Sequence, residues 1–552
     1  MSAASQSNDY DVIIAGAGPV GLTATIDLGR RGVRVMIMER DPDTAPWPKM
    51  DRSNQRTMEM YRRLGIVDRV RALGYPADNP MDVILAERGC GPLIAVQKYP
   101  SVAERRAMIA ESDDGYWPLE PYQLVAQNAI EPLLRDVAEK ETPNTTVRYG
   151  LAFTGFEQNE TGVTVYARRS DGGEETFRCA YLVGSDGGAS TVRKAAGIKL
   201  EGRAALRETR QVIFWSEKLY EMLGQTIGKG RHYMFMRGKG MNSLIAQGNR
   251  KEFSVGTLLP ADTDFEPLLR DMLGFGDQVD IEVRHVTNWR LHLLLADKYR
   301  VGRVFLAGDA AHLVIPTGGL GMNSGIGDAV DLSWKLAGLV KGWGGPQLAD
   351  SYEQERRPVA QRNIQASAWA SDGADIFGAG FFNTDNLADT PEGREARKRM
   401  IDAHFLEIGR MHNMIGAETC YTYAGSPLVA QEPGNVPIWD INKIVPHGRP
   451  GIRIPHMWLK DGSALQDNLG YDYNLLDLCG DLDTSGFEAA FKDIGARLDV
   501  KRMDEPKLRK VYNGSMFLLR PDLHIAWRGD GPPADPRAMA LIATGHGPAF
   551  KP

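Results

Sequence analysis

The chain has few cysteines, and nothing in their spacing does chemistry. Cys90, Cys179, Cys420 and Cys479 are the only four in 552 residues, and they form no CxxC and no metal-ligand spacing. A disulfide scaffold, a thiol-redox enzyme and a structural metal site are therefore not expected; reduced thiols of a cytosolic protein are. Basic charge is also short. The 65 Lys and Arg face 71 Asp and Glu, a net charge of −6. This argues against a nucleic-acid partner, because phosphate contacts need clustered cations. No apolar run approaches the roughly 20 residues of a membrane span, so no membrane partner is expected. The segment Met1 to Asp9 is polar and lacks a basic start leading into an apolar core. It does not read as a signal peptide, and a cytoplasmic location is the expectation.

Glycine is what the chain has in excess. It supplies 60 of 552 residues, above the ordinary share of about 7%. Such an excess suits tight turns and close backbone approach to a ligand. The length exceeds one ordinary core, so two or three domains are expected.

The glycines concentrate in motifs. Asp11-Val12-Ile13-Ile14-Ala15 is a short apolar run fit for a buried parallel strand. It leads into Gly16-Ala17-Gly18-Pro19-Val20-Gly21, then a helix from Leu22 to Arg31, then the strand Val33–Met38 ending at Glu39. Gly16 permits the tight turn, Gly18 lets the backbone approach a pyrophosphate, and Gly21 lets helix and strand pack closely. The helix N-terminus offers free N–H groups to phosphate. Glu39 stands where a carboxylate binds a ribose diol. This motif alone does not separate FAD from NAD.

A second motif runs from Gly302 through Phe305, Leu306, Ala307, Gly308 and Asp309 to Pro316, Gly318, Gly319, Gly321, Met322 and Asn323. It reads as a strand, an acidic turn, and a glycine loop opening a helix from about Asn323 to Leu339. Asp309 at the carboxyl end of a strand suits a polyol hydroxyl, such as the ribityl chain of FAD. The loop lets backbone amides approach a flat ring, and the helix dipole favours the negative charge of a reduced flavin. Two different nucleotide motifs on one chain fit the two ends of one long cofactor, FAD. A third segment, Tyr181 to Arg193, carries Asp186-Gly187 after another strand; alone it is a common turn signal.

The three segments, in this order and spacing, resemble the single-component flavoprotein aromatic hydroxylases, the group of para-hydroxybenzoate hydroxylase and phenol hydroxylase. Pro48–Glu59 and Gln127–Leu134 match further stretches of that family, and Arg453–His456 and Arg520–Arg528 resemble the tail of its phenol hydroxylase branch. The resemblance implies an α/β fold. It would comprise a Rossmann-like FAD-binding domain of the glutathione reductase type over 1–80, 115–200 and 285–370, with an inserted β-sheet substrate domain over 81–114 and 201–284. A helical segment and linker would follow over 371–435, marked by Pro433 and Pro437, then a thioredoxin-like C-terminal domain over 436–552. That tail lacks a CxxC, so a structural or dimer-supporting role is expected, in a homodimer.

The resemblance also implies the reaction. NAD(P)H, as NADPH or NADH, reduces FAD; O2 forms a flavin C4a-hydroperoxide; and an electron-rich phenolic ring is hydroxylated. The cofactor contacts it implies are Gly16, Gly18, Pro19, Val20, Gly21, Glu39, Arg40, Arg52, Gln127, Asp186, Gly187, Asp309, Pro316, Gly319, Gly321, Met322 and Asn323. Asp51 aligns with an acid near the substrate hydroxyl and is the candidate base. Its alternatives are a solvated loop acid or a helix cap near Arg56. Arg52 would meet a substrate carboxylate, meet the flavin, or pair with Asp51. His312 is expected to be scaffold.

Strands at Gln211–Trp215, Arg231–Met236, Asn242–Ala246 and Glu252–Gly256 form the inserted sheet. Trp215, Tyr233, Phe235 and Pro316 are candidates for the substrate pocket, with packing behind the sheet as the alternative for the three aromatics. No Arg/Ser/Tyr set for a benzoate carboxylate is evident, which favours a neutral phenol. Two other readings stay open: an FAD oxidoreductase of the same fold that does not hydroxylate aromatics, and a flavin-bound sensor.

Overall fold

Val12, Ile13 and Ile14 are wholly buried, so the first apolar run, Tyr10–Ala15, becomes an interior strand covered on both faces. The computed structural model describes residues 8–238, 240–381, 388–434 and 440–547; Pro437 lies outside them. The strand belongs to a parallel sheet ordered Val304–Leu306, Glu174–Gly184, Tyr10–Ala15, Val35–Glu39, Thr145–Tyr149. Glu174–Gly184 also continues, antiparallel, into Val163–Arg169 and Leu151–Gln158. The carboxyl ends of these strands deliver Gly16, Glu39, Asp186 and Asp309 to one edge of the sheet, the edge where such sheets bind ligands.

Two helices cover this sheet. Pro19–Arg30 starts with Pro19 at its first turn, where the missing N–H costs nothing. Gly321–Lys341 ends on Gly342, whose φ of +79° suits a helix stop. The two come very close: a Cβ on Gly325 would lie 2.5 Å from Val20 Cγ2.

The second sheet has eight strands. Its order is His312–Leu313, Glu282–Ala296, Leu200–Trp215, Glu252–Thr257, Ser243–Ala246, His232–Phe235, Val83–Ala86, Leu93–Gln97. Period-two alternation splits it into two faces. Val212, Phe214, Tyr233, Phe235, Leu244, Phe253 and Val255 point one way, into an apolar layer under the helices Leu219–Thr226 and Phe265–Leu273. Gln211, His232, Ser243, Ile245, Ser254 and Gly256 point the other way, toward the first sheet.

This alternation corrects the aromatic pocket candidates. Tyr233 and Phe235 are fully buried in the apolar layer, away from the cavity. Trp215 ends its strand at the rim, where its Nε1 donates to Glu217 and Arg284 stacks on its ring. Two domain divisions also shift. The strand Glu282–Ala296, missed in the sequence, pairs along Leu200–Trp215, so a division at 284/285 cuts a strand of the second sheet. A division at 370/371 falls inside the helix Gln347–Phe381.

The tail is a four-stranded sheet ordered Leu498–Arg502, Tyr473–Asp477, Met516–Leu519, Ile525–Gly529, with helices Ser485–Ile494, Pro506–Tyr512 and Pro536–Ala543. This is the thioredoxin arrangement. It packs directly on the first domain, since Trp334 of the helix Gly321–Lys341 shares a core with Tyr473, Phe491 and Leu518. Among the described residues, no helix is long and apolar enough to cross a membrane and no acid, His or Cys cluster could hold a metal ion.

Candidate active site

A cavity of about 880 Å³ lies between the carboxyl edge of the first sheet and the polar face of the second. Its first half is built by the glycine motifs. Gly16 adopts φ +100°, and a Cβ there would meet Ser185 O at 2.5 Å. A Cβ on Gly21 would meet Gly16 O at 2.1 Å, so any side chain would force helix and strand apart. Gly18 differs: its nearest neighbour would be Glu131 Oε1 at 3.9 Å, so that side of the turn is open. Glu39 accepts hydrogen bonds from Ala17 N at 2.8 Å and Asp41 N at 3.1 Å, which fixes its carboxylate at the rim. Arg40 points to solvent beside Asp41.

Asp186 is engaged locally. It accepts from Thr191 N at 2.6 Å, Val192 N at 3.1 Å and the Ser190 hydroxyl, so it anchors the start of the helix Thr191–Ala195, while Gly187 faces open space. Gln127 donates to Glu131 at 2.5 Å and lines the cavity between the two motifs.

Asp309 sits in a recess of this cavity. Among the described residues its carboxylate has no hydrogen-bond partner, and desolvation pushes it above the usual carboxylate range against the pull of His312 and Lys49. A carboxylate that opens onto the cavity without a protein partner is free to accept from a polyol. Beyond it, Pro316, Gly319, Gly321 and Met322 line the cavity, and Gly319 takes φ +66° with Arg52 Cδ 3.5 Å from where a Cβ would stand. Asn323 acts as a clasp. Its Oδ1 accepts from Asn54 N at 2.9 Å and Thr57 Oγ1 at 2.7 Å, and its Nδ2 donates to Arg52 O at 3.0 Å and Gly319 O at 2.6 Å. Its side chain therefore ties the Arg52 strand to the glycine loop at the cavity wall, which Asn323 helps to line.

These features fit FAD. One end offers an open glycine turn and helix N-terminus beside a ribose-competent acid, the middle an unpartnered carboxylate, and the other end a glycine loop at the start of a long helix. His312 stays outside this set: it is fully buried, with Nε2 2.8 Å from Asp328 Oδ2, and Asp328 in turn holds Arg356 and Gly308 N.

The second half of the cavity carries charge in closed pairs. Arg231 donates to Asp51 Oδ2, so the partner of Asp51 is this residue, just before the strand His232–Phe235, and not the adjacent Arg52. Arg52 instead donates to the buried Glu418 at 2.7 Å and stacks over Tyr122. Burial raises the Glu418 carboxyl even against Arg52 and Arg105. His232 and His412 lie side by side, ring centroids 5.1 Å apart, with Tyr99 beyond His412. Burial, then the Arg231 cation, holds both imidazoles well below the ordinary histidine range, so they are neutral.

Sequence reasoning passed over Tyr99, Tyr122, Gln211, Arg231, His232, Ser243, Gln247, Met411 and His412, all of which line this half. For His232 a signal existed: if Tyr233 and Phe235 pack inward, alternation sends His232 to the opposite face. Nothing local marks His412, which arrives on the short helix Gly409–His412.

Fold and cavity together define a flavin-dependent oxidoreductase. Comparison with known proteins narrows this. An FAD binding domain family matches residues 9–367, and an aromatic-ring hydroxylase C-terminal family matches residues 447–547. The chain is 32% identical over 572 residues to the FAD-dependent monooxygenase apdD of Emericella nidulans, covering 98% of this chain and 90% of that protein. It is 31% identical over 573 residues to a 4-methyl-5-nitrocatechol 5-monooxygenase of a Burkholderia species, covering 97% of each. The solved structure of the rebeccamycin biosynthetic enzyme RebC with reduced flavin superposes with a TM-score of 0.86 at 29% identity, covering 97% of this chain and 99% of that one. The chain belongs to the FAD-dependent aromatic-ring hydroxylases and is an FAD-dependent monooxygenase.

Proposed function

We propose that this monooxygenase hydroxylates a neutral phenolic ring, using NADPH or NADH and O2. The observation that carries the choice of substrate is the closed pairing in the second half of the cavity: Asp51 with Arg231, and Glu418 with Arg52. Each guanidinium already has its carboxylate, so a substrate carboxylate would enter without a cation of its own, and desolvating it is costly. A phenol needs only an acceptor for its O–H. Relatives named as a 4-methyl-5-nitrocatechol 5-monooxygenase and as a putative polyketide hydroxylase support a hydroxylated ring as substrate.

When bound, FAD supplies the redox chemistry, accepting hydride and activating O2 for transfer of one oxygen atom. The chain binds and orients. Glu39 would hold the adenosine ribose, the open turn at Gly18 with Pro19 and Val20 the pyrophosphate, and Asp309 the ribityl hydroxyls. Amides of Gly319 and Gly321, with the N-terminus of the helix Gly321–Lys341, would face the ring and favour its reduced, anionic form. Asp51 Oδ1, the oxygen not engaged by Arg231, would accept the phenol proton and raise the electron density of the ring. The second sheet closes over this arrangement and excludes water.

The test is a panel of phenols and their benzoate counterparts, read as stimulation of NADPH or NADH oxidation by the holoenzyme. Neutral phenols should stimulate and benzoates should not. Stimulation by benzoates alone would overturn the assignment.

A further inference from the structure

Arg231, His232 and His412 form a chain whose hydrogen-bond direction can be read from one end. A guanidinium only donates. Arg231 Nη1 lies 2.7 Å from His232 Nε2 and 3.4 Å from its Nδ1, so the nearer nitrogen is taken as the acceptor and the His232 proton is assigned to Nδ1. His232 Nδ1 faces His412 Nε2 at 3.4 Å, which assigns His412 Nε2 as the acceptor and leaves its proton on Nδ1. The neutrality of both rings, set by burial and by Arg231, allows each only one N–H. His412 is half-buried and lines the cavity, and among the described residues its hydrogen-bond contact is the one to His232, made through Nε2.

We propose that His412 is a specificity-determining donor: its Nδ1–H meets an acceptor oxygen of the aromatic substrate, a ketone, quinone or phenolate oxygen, and His232 is the positioning residue that fixes its tautomer. This rests on the aromatic-substrate reading above. The arrangement discriminates in one direction. An oxygen with a free lone pair is received, whereas a group offering only N–H or C–H leaves the His412 donor unpaired in a desolvated site. Asp51 and His412 then divide the recognition: the acid takes the phenol O–H, and the imidazole takes a second oxygen elsewhere on the ring system.

The experiment titrates the FAD-loaded enzyme with two probes, a hydroxytetralone and the hydroxytetralin that lacks only its ketone oxygen, reading the flavin absorbance change. Wild type should bind the ketone about five- to tenfold more tightly, the range of one neutral hydrogen bond. His412→Phe should bring that ratio to about one. His412→Asn, whose amide nitrogen stands near the place of Nδ1, should keep most of it. His232→Leu should lower it part way by freeing the tautomer. General damage to the fold weakens both probes alike and leaves the ratio unchanged, so the ratio separates recognition from stability. Equal binding of the two probes by wild type, or an unchanged ratio in His412→Phe, overturns the proposal while leaving the phenol reading intact. Failure of either probe to perturb the flavin, together with no stimulated oxidation by any phenol, overturns both.

Discussion

Asp51 Oδ2 accepts a hydrogen bond from Arg231 Nη2, joining residues 180 positions apart across the mouth between the two sheets. This contact fixes the acid at the meeting point of the flavin half and the substrate half. It also gives Asp51 a different cation from the adjacent one that the sequence suggests.

Asp51→Asn should keep bound FAD and slow hydroxylation, most at low pH where phenols stay protonated. General-base assistance is worth about a hundredfold or more. The check is the pH–rate profile of both forms. A profile unchanged by the substitution removes Asp51 from the chemistry.

Asp309→Ala should weaken FAD about ten- to a hundredfold, the effect of losing hydrogen bonds to a charged group. The FAD-free protein should melt no lower, because among the described residues no protein hydrogen bond is lost with the carboxylate. Fluorescence titration of FAD and melting of the apoprotein give the two readings.

His404 is fully buried beside Phe377 and Phe405, and burial alone lowers its pKa from 6.5 to about 4. The folded value lies below the unfolded one, so the unfolded chain takes the proton first. The stability this neutral ring contributes is present above pH 6.5 and is lost as pH falls toward 4, by roughly 1.4 kcal/mol per pH unit. His404→Phe should flatten the fall of melting temperature between those limits. An equally steep fall in the variant would contradict the assignment.

Arg520 is fully buried with Glu355, Asp331 and Asp522 around it, at 2.6, 3.0 and 2.7 Å. Lys335 closes the cluster on Asp331 and Glu355, which belong to the first-domain helices. Arg520→Met should leave buried carboxylates without their cation and cost about 3–5 kcal/mol. Denaturant unfolding should show tail and FAD domain weakening together. Loss of the tail transition alone would show that the two are independent.

Much of the flavin half is legible in the sequence because its constraints are local. Gly16, Gly18 and Gly21 sit in one turn, Glu39 ends the next strand, and Asp309 and Gly319 share one loop. The substrate half is assembled from distant segments: Asp51 from a loop, His232 from the second sheet with Arg231 just before its strand, Glu418 and His412 from helices beyond residue 400. No local pattern announces such a meeting. The aromatics Trp215, Tyr233 and Phe235 drew attention by size, yet alternation places Tyr233 and Phe235 in the layer behind the sheet, where large apolar side chains bury most area. The strand Glu282–Ala296 starts polar and exposed and reaches its buried apolar run, Leu293 to Ala296, only at its end, so its first ten residues carry no strand signal.

The most direct measurement is product analysis under isotopically labelled O2, with FAD-loaded enzyme, NADPH or NADH, and the phenol that best stimulates oxidation of the nicotinamide. The account predicts a product one oxygen heavier than the phenol, with the label in the new hydroxyl. Stimulated oxidation that yields only hydrogen peroxide with every phenol, or a hydroxyl carrying unlabelled oxygen from water, would contradict it.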